Sequence, residues 1–176
     1  NEKENKVELT IKDKEHVEKF KKFINTQNKI GVKNVKGNEY YRISFRDKIM
    51  VNNLEKKGCY QNKSLTIRYP TLKQVPVHLQ RHFMRGYFDG DGCIHIDKNN
   101  KVTISVLGTK EFLNKMCKQF ILTRNMYQRC GEAYEWRSAA QSTVRNFLDI
   151  MYDDSIIYLD RKYELYLQNA VLSRNV

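Results

Sequence analysis

The sequence predicts an α+β chain in which one β–α–β–β–α unit is written twice, and three observations predict it. Segment 6–24 (KVELTIKDKEHVEKFKKFI) lies over segment 101–121 (KVTISVLGTKEFLNKMCKQFI), and segment 40–70 parallels 134–167 at a similar offset. Within each copy, apolar residues first alternate and then recur every three or four positions, a strand passing into an amphipathic helix. Two copies are too few for a solenoid, which needs at least ~3, so a pseudo-two-fold pair is the expected arrangement.

The elements follow in order. Val7, Leu9 and Ile11 mark the first strand, and Val17, Phe20, Phe23 and Ile24 the apolar stripe of the first helix. Tyr41, Ile43 and Phe45 mark a strand that passes through a helix to a loop ending at Lys63. Segment 76–97 (PVHLQRHFMRGYFDGDGCIHID) is then predicted as a helix from Pro76, a residue suited to a first helical position, to Asp91. Gly92 stops it, and a strand runs from Cys93 to Asp97. Val102, Ile104 and Val106 open the second copy's strand; Phe112, Leu113, Met116 and Phe120 mark its helix; its final loop ends at Lys162. The second copy thus owns a leading helix and strand that the first lacks. Residues 1–75 are read as an N-terminal half-repeat and 76–176 as a complete C-terminal one.

Composition bounds the function. The chain has 40% hydrophobic and 30% charged residues, the balance of a packed globular protein. No run approaches the ~20 apolar residues of a spanning helix, and the polar start (Asn1 to Lys6) is not a signal peptide. Cys59, Cys93, Cys117 and Cys130 form no CxxC pair, which points to reduced thiols in an intracellular, non-secreted protein (cytoplasm, nucleoid or organelle). Lys and Arg number 32 against 20 Asp and Glu, and the formal net charge of +12 implies a polyanionic partner, most simply nucleic acid. The excess is +9 over residues 1–75 (18 basic, 9 acidic) and +3 over 76–176 (14 and 11). The second part therefore holds acidic groups that need a reason.

That reason is sought in MRGYFDGDG (84–92). Gly86 and Gly90, four apart on one helix face, each cost ~1 kcal/mol of helix stability against Ala, which suggests close approach of another backbone. Asp89 and Asp91 stand at the helix C-terminus, where the macrodipole disfavours a carboxylate by about 0.3–1 kcal/mol. A divalent cation would resolve that conflict, because carboxylate and terminal carbonyl oxygens are the ligands Mg²⁺ prefers.

Residues 84–92 resemble the dodecapeptide motif of the LAGLIDADG homing endonucleases. Gly86, Asp89, Asp91 and Gly92 match its glycine, aspartate, aspartate and glycine; Met84, Tyr87 and Phe88 fill apolar positions; Gly90 replaces a small Ala and Arg85 departs from Ala. YLDRKYELY (158–166) also resembles the family. The resemblance implies two pseudo-symmetric αββαββ halves whose motif helices pack together and whose antiparallel saddle sheets sit in the DNA major groove. It implies Mg²⁺ at Asp91 with help from the Gly90 carbonyl, Mn²⁺ or Ca²⁺ substituting in binding, and metal-assisted phosphodiester hydrolysis. Lys162, and Lys63 in the matching place of copy one, are the implied basic residues at the scissile phosphates. Gly86, Gly90 and Asp89 are the implied helix-interface residues. Only one motif is present, so the expectation is that the native chain starts upstream of Asn1 with a first motif, and that this chain binds or nicks poorly by itself. The expected state is a monomer, with a homodimer as the alternative, on a long asymmetric double-stranded site. A non-cleaving module on the same scaffold, such as a maturase or transcriptional regulator, is the alternative function.

Strand parity supports a DNA-facing side independently. Where Tyr41, Ile43, Phe45, Ile94, Ile96, Val102, Ile104 and Val106 point inward, Arg42, His95, Lys101, Thr103 and Ser105 point the other way. With Lys29, Lys33, Arg46, Arg68, Lys98, Arg129 and Arg137 they are the expected DNA contacts. Other readings fail. Asp89–Gly92 mimics an EF-hand opening, but Ile94 and Asn100 occupy its required Gly and Glu positions. The terminal LSRNV lacks an intein's His-Asn pair. No His or Cys spacing makes a zinc site, and the tyrosines and phenylalanines read chiefly as core.

Overall fold

The computed structural model describes residues 5–61 and 65–172, so Lys63 lies outside the described residues. The chain packs as two units, 1–61 and 62–176. In the first, β1 (Lys6–Ile11), α1 (Lys14–Phe23), β2 (Gly31–Val35), β3 (Asn38–Arg46) and α2 (Lys48–Lys56) follow one another. They form an antiparallel sheet in the order β1-β3-β2. Lys36 and Gly37, at φ 51 and +78, make the two-residue turn between β2 and β3, a geometry that glycine takes without strain. The Asp47 carboxylate caps α2 by accepting from the Met50 N–H at 2.8 Å. Val17, Ile43 and Val51 are this unit's buried apolar residues.

In the second unit, the stretch ahead of its first helix brings Ile67 and Tyr69 to the core. Pro76 precedes a single 3-10 turn, Val77–Leu79, and α3 proper runs Gln80–Asp91; the predicted helix thus starts with one tighter turn. There follow β4 (Gly92–Ile96), β5 (Val102–Thr109), α4 (Lys110–Gln119), β6 (Met126–Cys130), β7 (Ala133–Ser138), α5 (Gln141–Tyr152) and α6 (Asp160–Leu172). The sheet order is β4-β5-β7-β6. Removing β4 leaves β5-β7-β6, the order of β1-β3-β2, so the repeat read from the sequence is a repeat of topology.

The core of this unit is aromatic. Phe88 packs edge-on against Phe147 at 5.4 Å, and Trp136 lies 5.4 Å from the same ring. The Trp136 indole N–H is satisfied by the Thr123 carbonyl at 2.8 Å. Thr109 caps α4 through the Phe112 N–H, and its hydroxyl donates to the Ile67 carbonyl at 2.7 Å, fastening the stretch that holds Ile67. No helix of the described residues is long and apolar enough to cross a membrane.

Candidate functional site

Register decides which side chains share a face. In the second unit His95 stands opposite Thr103, Cys93 opposite Ser105, Ser105 opposite Arg137, and Leu107 opposite Glu135, which faces Tyr127. Ile94, Ile104, Val106 and Trp136 fall on the other face and are buried. The outward face is a polar groove of about 790 Å³ lined by Asp97, Lys101, Thr103, Tyr127, Arg129 and Arg137 among others. Lys98 sits in the turn between β4 and β5, where Asp97 accepts from the Asn99 and Lys101 N–H groups at 2.8 and 2.9 Å. Those two backbone bonds hold the Asp97 carboxyl below the usual carboxylate range.

The first unit repeats the pattern. Thr10, Arg42 and Gly31 are in register across its three strands, Lys6 faces Arg46, and Lys33 faces Tyr40. Arg42, Arg46 and Lys33 therefore share one exposed face, and Lys29 is exposed in the loop leading to β2. Arg68 does not belong to either face: it pairs with Glu111 in the first turn of α4 at 3.5 Å.

The motif separates its two aspartates. Asp89 is buried; its Oδ1 accepts from the Tyr152 hydroxyl at 2.6 Å and its Oδ2 from the Leu159 N–H at 3.1 Å. Asp91, the last residue of α3, is exposed and immediately precedes β4, whose exposed Cys93 and His95 run along the polar face. Gly86 and Gly90 are also exposed, and a Cβ at either would meet nothing within 4 Å. Gly92 is required for a different reason: a Cβ there would overlap the Phe88 ring and sit 2.6 Å from the Phe88 carbonyl oxygen.

Around this helix end the structure places two buried cations. Lys162, in the first turn of α6, is 2% exposed and donates to the carbonyls of Phe88 at 2.5 Å, Asp89 at 2.9 Å and Gly92 at 2.5 Å. Burial pushes its amine down to about 8, opposed by the charge of Asp89. Arg85, where the family motif has Ala, is buried and donates through Nε to the Ile157 carbonyl at 2.8 Å and through Nη1 to that of Met151 at 3.1 Å. Its Nη2 lies 3.0 Å from His82 Nδ1. Burial draws the Arg85 pKa down, and Asp89 opposes that shift as well.

Sequence reasoning missed Arg85 as a structural anchor, and it missed Glu135, which is nearly buried and paired with Arg129. Parity could have found Glu135, Leu107 and Tyr127, since each falls on the face already assigned to Arg137 and Ser105. Nothing local marks Arg85, whose acceptors lie more than 60 positions away.

The donor set suits a hard cation: the Asp91 carboxylate and the Gly90 carbonyl are oxygens at one helix end. Among the described residues no three His, Cys, Asp or Glu side chains converge, so one motif supplies part of a coordination shell. Residues 78–151 match the family model of the LAGLIDADG-like domain. No curated protein sequence matches the chain. The fold is similar to that of the I-LtrWI LAGLIDADG homing endonuclease bound to target DNA, at 12% identity over 96% of this chain and 80% of that one, with a TM-score of 0.61. The LAGLIDADG meganuclease I-AabMI bound to uncleaved DNA is as similar, at 15% identity, 96% and 81% coverage and a TM-score of 0.61. The full-length DUF199/WhiA structure from Thermatoga maritima matches at 13% identity over 99% of this chain and 62% of that one, with a TM-score of 0.56. At such identities these likenesses establish a fold.

Proposed function

We propose, for a chain whose residues 78–151 form a LAGLIDADG-like domain and whose fold is that of the LAGLIDADG homing endonucleases, the activity of a site-specific double-strand DNA endonuclease acting inside the cell. The observation that carries this reading is the division of labour at the end of α3: Asp89 is consumed by buried hydrogen bonds, while Asp91 is exposed beside the polar sheet.

In this mechanism the sheet faces do the recognition. Arg137, Arg129, Lys101 and His95 on one unit, and Arg42, Arg46 and Lys33 on the other, contact phosphates and base edges in the major groove. The two faces differ in sequence, so the site is long and asymmetric. Asp91 and the Gly90 carbonyl would hold a divalent cation, Mg²⁺ in the cell with Mn²⁺ or Ca²⁺ able to replace it in binding. When bound, such a cation supplies hydroxide at neutral pH and charge stabilisation at the phosphate. Asp91 would orient that cation, and Lys63 is the basic residue proposed near the phosphate served by the first sequence repeat. One motif makes half of a paired site, so the complete site takes a second motif in the same polypeptide or in a homodimer.

Mg²⁺-dependent cutting of a pooled plasmid library by this chain and by Asp91→Asn tests the reading, with DNA binding followed against salt. Cuts lost in the variant while binding persists are expected. Binding by both without cuts, and without Mn²⁺ bound at Asp91, would favour a DNA- or RNA-binding module of the maturase or regulator type, a reading supported by the lone motif.

A further inference from the structure

We infer that Lys162 is a positioning residue: it fixes the backbone on both sides of Gly90–Asp91 and so presents the cation-holding oxygens, without touching the scissile phosphate. The inference rests on the proposed role of Asp91. A lysine ammonium has three protons, and here three carbonyls take them, at 2.5, 2.9 and 2.5 Å, in a pocket that leaves the side chain 2% exposed. The Phe88 ring lies 5.1 Å from Nζ and closes another side. No donor remains for a phosphate oxygen or an attacking water unless the side chain leaves this pocket.

The choice of acceptors gives the role. A helix leaves its last four carbonyls without partners inside the helix, and they carry the negative end of its dipole. Lys162 takes two of these, from Phe88 and Asp89, then passes over Gly90 and Asp91 to the first carbonyl of β4. The helix end is therefore clamped on either side of Gly90–Asp91, and none of the three Lys162 bonds is spent on the Gly90 oxygen. A second tie acts in parallel: the Asp89 carboxylate holds the Tyr152 hydroxyl and the Leu159 N–H, so the start of α6 cannot drift from the end of α3. The clamp spans 70 or more positions of sequence and acts from beneath the site.

Lys162→Met tests it, with Arg161→Met, an exposed neighbour, as control. Titration with Mn²⁺, followed by its electron paramagnetic resonance, should show affinity weakened about 10–100-fold in Lys162→Met, as for lost outer-shell partners of metal ligands, and unchanged in the control. DNA affinity should be unaltered, and raised Mn²⁺ should restore cutting. Unchanged Mn²⁺ affinity, whether cutting is lost at every Mn²⁺ concentration or persists, overturns the inference. A nitrogen-15 lysine spectrum of the wild-type chain decides the matter even if the variant fails to fold. Slowly exchanging Lys162 ammonium protons that keep their shift when DNA is added support the clamp, and their release on DNA binding overturns it. If wild type and Asp91→Asn bind Mn²⁺ alike, the metal role of Asp91 fails first and the inference falls with it.

Discussion

The two units carry the same β–α–β–β–α order and the same strand order, yet only the second closes a core and builds a candidate site. In the first, Val17, Ile43 and Val51 are buried, while Phe23 and Ile49 on its helices are 68% and 75% exposed. In the second, Met84, Phe88, Phe112, Trp136, Phe147 and Tyr152 are all fully buried. Larger core residues within the shared unit account for part of the difference, and elements outside it supply the rest. α3 contributes Met84 and Phe88, the stretch before it contributes Tyr69, and Leu159, just ahead of α6, and Lys162 within it are also buried. A three-stranded sheet with two short helices buries little by itself, and area removed from water sets most of its stability. Under the proposed function, the repeated unit is the recognition scaffold, whereas the chemistry needs the helix that leads it.

That contrast can be broken by experiment. Phe147→Ala, at the centre of the second core, should cost about 3–5 kcal/mol in urea denaturation. Its transition should leave amide exchange in β3 unchanged, and β3 should exchange faster than β7 in the wild type. Equal protection of the two sheets would erase the distinction drawn here. Within the motif, Asp89→Ala strands the Tyr152 hydroxyl and the Leu159 N–H and should cost about 2–3 kcal/mol, while Asp91→Asn stays within about 0.5. A reversed order would reassign the two aspartates. In the first unit, Phe23→Gln and Ile49→Gln should each change stability by no more than about 0.5 kcal/mol. A larger loss would show that these side chains are covered in solution.

A separate effect concerns pH. Burial holds the Lys162 amine at about 8 against 10.5 for the free side chain, so between those values the unfolded chain binds more protons than the folded one. The contribution of Lys162 to stability therefore rises with pH across that window and is flat below it. The wild type should gain relative to Lys162→Met from pH 8 to 10.5, and a relative loss there would reverse the sign assigned to its burial.

Much of this was legible in the sequence, for local reasons. Period-two and period-3.6 patterns placed most of the strands and the helices up to α5, and parity placed Arg42, His95, Thr103 and Ser105 on the polar faces. Parity says nothing of Arg68, because no described strand holds it, and its partner Glu111 is far away in sequence. α6 was visible as a family signature rather than as a helix. Its most consequential residue, Lys162, points into the end of α3 more than 70 positions earlier.

The sequence by itself determined the repeated topology, the apolar and polar faces, the basic charge and the helix ending in Asp89–Gly90–Asp91 with Gly92 as its stop, because each depends on spacing along one segment. Only the tertiary structure decided which aspartate is buried, why Gly92 must lack a Cβ, and what Arg85 and Lys162 do. A buried charge is tolerable only where distant acceptors meet it, and those acceptors come together only when the chain folds.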